Sequence, residues 1–229
     1  MSAGTRLKSA LLGLSYKAYL RLFGRGAPLF EVSERIVEYP FALQTALLLP
    51  KGSRVAVFGC HSDLLTTLLP AVGFETHGID VKDFNLSYEN FTFHRADIRK
   101  TTLEDDFFDG VIAVSTLEHV GLFDDDLHGD EKAVREMRRV LKPGGLFAIT
   151  VPFAARADLI PMFERIYDQG SLTRLLEGLD VESICAYAAG AGELWHPIAL
   201  DQAPEPQQQT SCTALVRARK PGRSDPASI

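Results

Sequence analysis

From Arg54 onward, short apolar blocks alternate with segments whose apolar positions recur every three or four residues. RVAVF (54–58) is a β-rich apolar run, FFDGVIAVS (107–115) is fully apolar at its centre, and FETHGID (74–80), NFTFHRADI (90–98) and LFAITVPF (146–153) read as further strands. Strands of this kind are buried on both faces, which predicts a parallel sheet covered by helices. DLLTTLLPAV (63–72) and GDEKAVREMRRVLKPGG (129–145) carry helical spacing, and Pro143 with its glycine pair stops the second helix. SLTRLLEG (171–178) predicts a helix with Ser171 as N-cap. DVESICAYAAG (180–190) and TSCTALVRARK (210–220) follow as strands with no helix between them, an antiparallel pair at one sheet edge. The connection AGELWHPIALDQAPEPQQQ (191–209) has little periodicity and reads as a loop.

The beginning of the chain is helical in pattern. PLFEVSERIVEYPFALQTALLLP (28–50) is one helical segment closed by Pro50. Leu7, Leu11, Leu14, Ala18 and Leu22 form an earlier apolar stripe, opposed by Lys8, Lys17 and Arg21. Lys17 and Arg21 interrupt the run that a signal peptide needs, so this segment reads as an amphipathic helix packed on the domain or over its site. Contact with a membrane surface through the basic face is the competing reading. The expected organisation is an N-terminal helical cap (1–50), a main domain (51–220) and a disordered tail (221–229).

Composition narrows the function. The 229 residues suit one sizeable α/β domain with a cap. A formal net charge of −6 argues against general binding to the nucleic-acid backbone. Cys60, Cys185 and Cys212 form no CxxC pair and no zinc spacing, which points to a reducing cytoplasm. No apolar run reaches the roughly 20 residues of a membrane helix, so integral membrane association is not expected. The acidic run from Asp124 to Asp130 lacks the glycine and terminal glutamate of an EF-hand, and no metal site is expected. Oligomeric state leaves no mark in the sequence.

Candidate chemistry sits at the ends of the predicted strands, where ligands bind in open α/β sheets. The first strand runs into Gly59, Cys60, His61 and Ser62, and then into a helix. A glycine there lets backbone approach a ligand, and the free N–H groups of the helix start suit a carboxylate. The second strand ends in Asp80, whose carboxylate can accept two hydroxyl hydrogen bonds. After the fourth strand, STLEHV supplies His119, a general base near neutral pH, with Glu118 beside it.

Together, RVAVFGCHSD, GIDVKD, RADIRK, FFDGVIAVSTLEHVG and VLKPGGLFAITVPF resemble, in order and spacing, the class I S-adenosylmethionine-dependent methyltransferases. The resemblance covers about Arg35 to Arg219. It implies an α/β, Rossmann-like, seven-stranded and mostly parallel sheet with helices on both faces, a C-terminal antiparallel hairpin and the N-terminal helical cap. S-adenosyl-L-methionine is the implied cofactor. Its implied contacts are Gly59, Cys60, His61 and Ser62 in the first turn, Asp80 and Val81 at the ribose, Ala96, Asp97 and Ile98 around the adenine, Ser115, Thr116 and Leu117 after the fourth strand, and Arg35 from the cap. Glu118 and His119 would face the acceptor as catalytic residues. Phe153, Arg165, Tyr167 and Trp195 would line a pocket for a small acceptor, in a subgroup often linked to sugar or natural-product modification. One departure stands out: the acid usual inside the first strand is replaced by Val57, and later glycines of the motif are absent. A non-catalytic cofactor-binding or regulatory module is therefore the second reading. A nicotinamide-dependent dehydrogenase is disfavoured by the missing GxGxxG turn.

Overall fold

The computed structural model describes residues 33–61, 63–85, 87–189, 194–207 and 211–222. The helix expected over residues 7–22, Ser62 and residues 223–229 of the expected tail lie outside the described residues.

Five apolar blocks form the parallel strands β1 (Arg54–Phe58), β2 (Glu75–Asp80), β3 (Phe91–Arg95), β4 (Phe108–Val114) and β5 (Leu141–Pro152). A small separate hairpin, β6 (Asp158–Ile160) and β7 (Glu164–Ile166), follows β5. β8 (Asp180–Ala188), β9 (His196–Ile198) and β10 (Cys212–Arg219) complete the main sheet. Its order is β3-β2-β1-β4-β5-β10-β8-β9, with β10 antiparallel to both β5 and β8. The expected late antiparallel pair is therefore present. The sheet has eight strands, however, because His196–Ile198 of the expected loop pairs along β8. Three residues are too few to show a period, and a proline such as Pro197 is tolerated on an edge strand because it has no N–H to offer a ladder.

Helices α1 (Arg35–Ala46), α2 (Leu65–Ala71), α3 (Gly129–Val140) and α4 (Gln169–Leu175) cover the sheet. The pleat sends alternate side chains to opposite faces. Ala56 and Phe58 of β1 join the core beneath α3 and α4, with Val134, Met137 and Leu172. Val55 and Val57 join the core beneath α1 and α2, with Ala42, Ala46, Leu65 and Leu69. Both faces are thus dry, which is why these strands read as continuous apolar runs.

Two local expectations need correction. Ser171 is not the N-cap of α4. Asp168 is, with its carboxylate accepting the Ser171 N–H at 2.7 Å while the Ser171 hydroxyl accepts the Asp168 N–H at 2.9 Å. This reciprocal pair satisfies two donors at once, and a serine three residues inside the helix can complete it as a glutamate would. Nor do Pro143 and its glycine pair stop the helix: α3 ends at Val140, and LKPGG opens β5, away from the ligand end of the sheet. Gly110 pairs with Leu146, so the motif precedes the parallel stretch of β5. There Gly144 adopts φ +77° and donates its N–H to the Lys220 carbonyl at 2.8 Å. Lys142 pairs with Asp109 at 2.6 Å. This motif ties β5 to its neighbours and holds no chemistry.

α3 is anchored to the loop after β3 through Glu136. Its carboxylate accepts the Thr101 N–H at 2.7 Å and hydroxyl at 2.5 Å, and pairs with Arg139 at 2.6 Å. Burial pushes this carboxyl up, but the bonds from Arg139 and Thr101 outweigh burial and hold it below the usual range. Glu136→Ala is expected to cost about 1.5–3 kcal/mol in urea unfolding at neutral pH, the worth of charge-assisted bonds left unmade. Since the folded-state carboxyl is the more acidic one, the gap between wild type and variant should close as pH falls through the carboxylate range.

Candidate functional site

The strand order reverses between β1 and β4, and the crevice at their carboxyl ends is where an open α/β sheet receives a ligand. Gly59 leaves β1 with φ +74°. A Cβ at Gly59 would lie 2.2 Å from Cγ2 of Thr116. The glycine therefore serves first to let the loops after β1 and β4 interlock. Cys60 is fully buried among the apolar side chains beneath α1 and α2, and burial pushes its thiol up to about 12. Only its backbone faces the turn chemistry, and that N–H already donates to the Ile79 carbonyl.

Asp80 organises this turn. One carboxylate oxygen accepts the His61 N–H at 2.9 Å and the other accepts the Lys82 N–H at 2.8 Å. A carboxylate offers about four lone-pair sites, so each oxygen keeps one for a further donor. Val81, next in the chain, is exposed. Beyond β3, Asp97 is locked against Arg99, whose guanidinium also pairs with Asp124 at 2.6 Å and Asp126 at 3.1 Å. The bonds from Arg99 hold the Asp97 carboxyl below its ordinary value. Ala96 is half-buried at the end of β3, and its N–H donates to the Asp80 carbonyl at 3.0 Å. Ile98 and Leu117 pack into the core beneath α3 and α4, so their side chains support the ligand loops from below.

The start of α2 departs from expectation. Its first donors are not free. Asp63 accepts the Leu65 N–H at 2.8 Å, and the Leu64 N–H reaches the Tyr39 hydroxyl at 3.4 Å. Burial pushes the Asp63 carboxyl up to about 6. An acid at this place takes the helix donors that a ligand carboxylate would have used. Arg35, at the start of α1, supplies a cation on the same side: it acts electrostatically on Asp63, bonds Glu38 at 2.5 Å and keeps 37% side-chain exposure. Glu38 is fully buried. Besides Arg35, it accepts the hydroxyls of Ser115 at 2.9 Å and Thr213 at 3.0 Å. The helical register of SERIVEYP carries no sign of this convergence. Thr66, three residues on, donates its hydroxyl to the Asp63 carbonyl at 2.7 Å and helps fix this turn.

Glu118 and His119 diverge. Glu118 turns inward with 2% side-chain exposure, and its Oε2 has no hydrogen-bond partner among the described residues. Burial, with Glu38 and Glu164 nearby, pushes its carboxyl well above the ordinary value. Glu118 is thus not the solvent-facing acid that the sequence suggests. His119 keeps 43% side-chain exposure, and its Nδ1 lies 2.6 Å from the Phe163 carbonyl. A carbonyl only accepts, so the neutral ring carries its proton on Nδ1 and leaves a lone pair on Nε2.

The expected acceptor wall does not assemble as one surface. Arg165 donates to the carbonyls of Val120, Asp126 and Leu127, and the buried Tyr167 hydroxyl donates to Asp130 at 2.8 Å. These two side chains fasten the β6–β7 hairpin to the start of α3, because buried donors must be satisfied. They border a cavity of about 450 Å³ shared with Leu159, Ser171 and Leu175, and no residue of the Gly59 turn lines it. Phe153 is core, at 3% exposure. Trp195 is half-buried just before β9, at the sheet edge and three strands beyond β5. Among the described residues, no group of three His, Cys, Asp or Glu side chains is placed to hold a metal ion.

Comparison with known proteins shows what this arrangement is similar to. Residues 57–149, from β1 into β5, match a methyltransferase domain model. The chain is 29% identical over 154 residues to a probable S-adenosylmethionine-dependent methyltransferase of Mycolicibacterium smegmatis, covering 62% of this chain and 57% of that one. It is 31% identical over 109 residues to an S-adenosyl-L-methionine-dependent Diels-Alderase of Talaromyces variabilis, covering 45% of this chain and 37% of that one. The chain thus spans little more than half the length of the first of these relatives and less of the second. Its fold is similar to that of the 1,6-didemethyltoxoflavin-N1-methyltransferase of Burkholderia thailandensis, with a TM-score of 0.62 at 13% identity over 96% of this chain and 92% of that one. With the domain match running from β1 into β5 and the reversed β10 completing the sheet, the chain carries a stretch that matches a methyltransferase domain and has a fold similar to that of solved methyltransferases.

Proposed function

We propose that this chain binds S-adenosyl-L-methionine across the carboxyl ends of β1 to β4 and catalyses methyl transfer to an oxygen or nitrogen of a small organic molecule. The observation that carries this reading is Asp80, whose two oxygens each hold a turn N–H and each retain a lone pair beside the Gly59 turn. That acceptor pair suits the two hydroxyls of a ribose. Arg35 and Asp63, of opposite charge, suit the carboxylate and ammonium of a methionine group. Asp63 stands in for the acid missing at Val57, delivered from the helix start rather than from inside β1. Val81 lies beside Asp80 at the ribose end, and Asp97 borders the adenine end.

When bound, the cofactor supplies a methyl group on a sulfonium sulfur, already activated for displacement. The protein's part is alignment, together with removal of a proton where the acceptor is an alcohol. His119 is suited to that removal, since its Nδ1 is fixed on the Phe163 carbonyl and Nε2 is the basic atom. Reaction in a reducing cytoplasm fits the free cysteines. A second reading, cofactor binding without methyl transfer, draws on Val57 and on the donors that Asp63 withdraws from the α2 start.

Calorimetry with S-adenosylmethionine, S-adenosylhomocysteine and NAD tests the proposal. The first two should bind; binding of NAD alone would refute it. Turnover on an identified acceptor separates the enzyme from the non-transferring module.

Asp80→Ala is expected to weaken S-adenosylmethionine binding by about 1.5–3 kcal/mol, as for lost charge-assisted hydrogen bonds. Unchanged calorimetric affinity in the folded variant would remove Asp80 from the site. Gly59→Ala places a Cβ against Thr116 at a positive φ. It should lower the thermal midpoint and weaken the cofactor together, and Thr116→Ser should relieve part of both losses.

A further inference from the structure

After β4 the carboxyl of the inward-turned Glu118 and the Nε2 edge of His119 lie close to each other without bonding. Nε2 of His119 presents its lone pair because Nδ1 is committed to the Phe163 carbonyl. Oε1 of Glu118 lies 3.8 Å from that Nε2, beyond hydrogen-bond reach. Oε2 of the same buried carboxyl has no hydrogen-bond partner among the described residues. An orphaned buried acceptor is uncommon in folded proteins and calls for a donor from elsewhere.

The nearby cations do not fill this role. Arg35 is bound to Glu38, and Arg165 is committed to three backbone carbonyls and to Asp130. Two buried acids, Glu38 and Glu164, act on Glu118 as like charges, while Arg35, already bound to Glu38, acts with the opposite sign. An anionic acceptor group would meet this field as a like charge. Phe163 packs edge-on beside His119 at 6.2 Å between ring centroids and is 49% exposed, and Met162 next to it is 73% exposed. This apolar shoulder suits a hydrocarbon or aryl body attached to the polar group.

Building on the methyltransferase reading, we propose that the acceptor is an amine, held through its N–H groups between Nε2 of His119 and the carboxyl of Glu118. An alcohol brings one proton and satisfies one of these acceptors. A primary amine brings at least two and reaches both. The neutral amine keeps the lone pair that methyl transfer requires. Positive charge appears on the nitrogen as the N–C bond forms and the sulfonium C–S bond breaks, where the surrounding acids favour it, and Nε2 of His119 can take the proton then released.

The test is calorimetric titration of the full chain, loaded with S-adenosylhomocysteine, with benzylamine, benzyl alcohol and benzoate. Benzylamine should bind at least about tenfold more tightly than the other two, a difference of about 1.4 kcal/mol. His119→Ala, at a half-exposed position, and Glu118→Gln, checked for folding by circular dichroism, should each abolish most of that advantage. The proposal is overturned if benzyl alcohol or benzoate binds as well as benzylamine, if none of the three binds saturably, or if the advantage survives both substitutions. Titration with S-adenosylhomocysteine alone is a separate arm. Its failure would count against the cofactor reading, and the same three probes on the unloaded protein would then decide the amine site independently.

Discussion

The carboxylate of Glu38 is fully buried and takes hydrogen bonds from Arg35, Ser115 and Thr213, which belong to α1, the β4 exit and β10. A buried charge is tolerated only with its partners in place. All three segments are therefore held together by one requirement. Ser115 sits at φ +40°, a backbone state that costs energy unless its surroundings enforce it, and Glu38 is part of that enforcement. α1 is fixed over the strand ends by the same contact, which is how Arg35 and Tyr39 come to stand beside the turn after β1. Helix cap and sheet cannot shift independently without leaving this carboxylate unpaired.

A second constraint lies between the loops after β1 and β4. Thr116 occupies the space that a side chain at residue 59 would need. One glycine is enough for this turn because the neighbouring loop, rather than further glycines, shapes it. Asp80 then links the turn to the end of β2, so a single carboxylate both builds the site and offers acceptors within it. The Leu65 and Leu64 N–H groups at the α2 start are used internally by Asp63 and Tyr39, and Arg35 supplies a cation on the same side.

Residues with the chemistry of a pocket wall are used here as fasteners. Arg165 and Tyr167 fix the β6–β7 hairpin against α3, and in doing so place the Phe163 carbonyl against His119. Their contribution to the site is indirect: they hold the atom that sets which ring nitrogen carries the proton. The LKPGG turn is similar, specific in sequence yet placed at the opposite end of β5, where it locks the strand to β10.

The sequence by itself determined the parallel core, because strands buried on both faces must be apolar throughout, and it determined the reversed late pair, because no helix separates β8 from β10. Asp80 and Gly59 were legible for a related reason: each terminates an apolar run where a sheet of this kind opens to ligands. Only the tertiary structure decided what depends on distant contacts. The edge strand β9 exists through its pairing with β8 and has no period of its own. Glu38 was a polar residue on a helix until Ser115 and Thr213, 77 and 175 residues away, closed around it. Glu118 and His119 are chain neighbours, yet the short helical turn at Leu117–His119 sends one inward and the other toward Phe163. Composition and spacing carry local preference; burial and the partner of each polar atom are set by chain segments far apart in sequence, and those partners decide whether a carboxylate or an imidazole supports the fold or does chemistry.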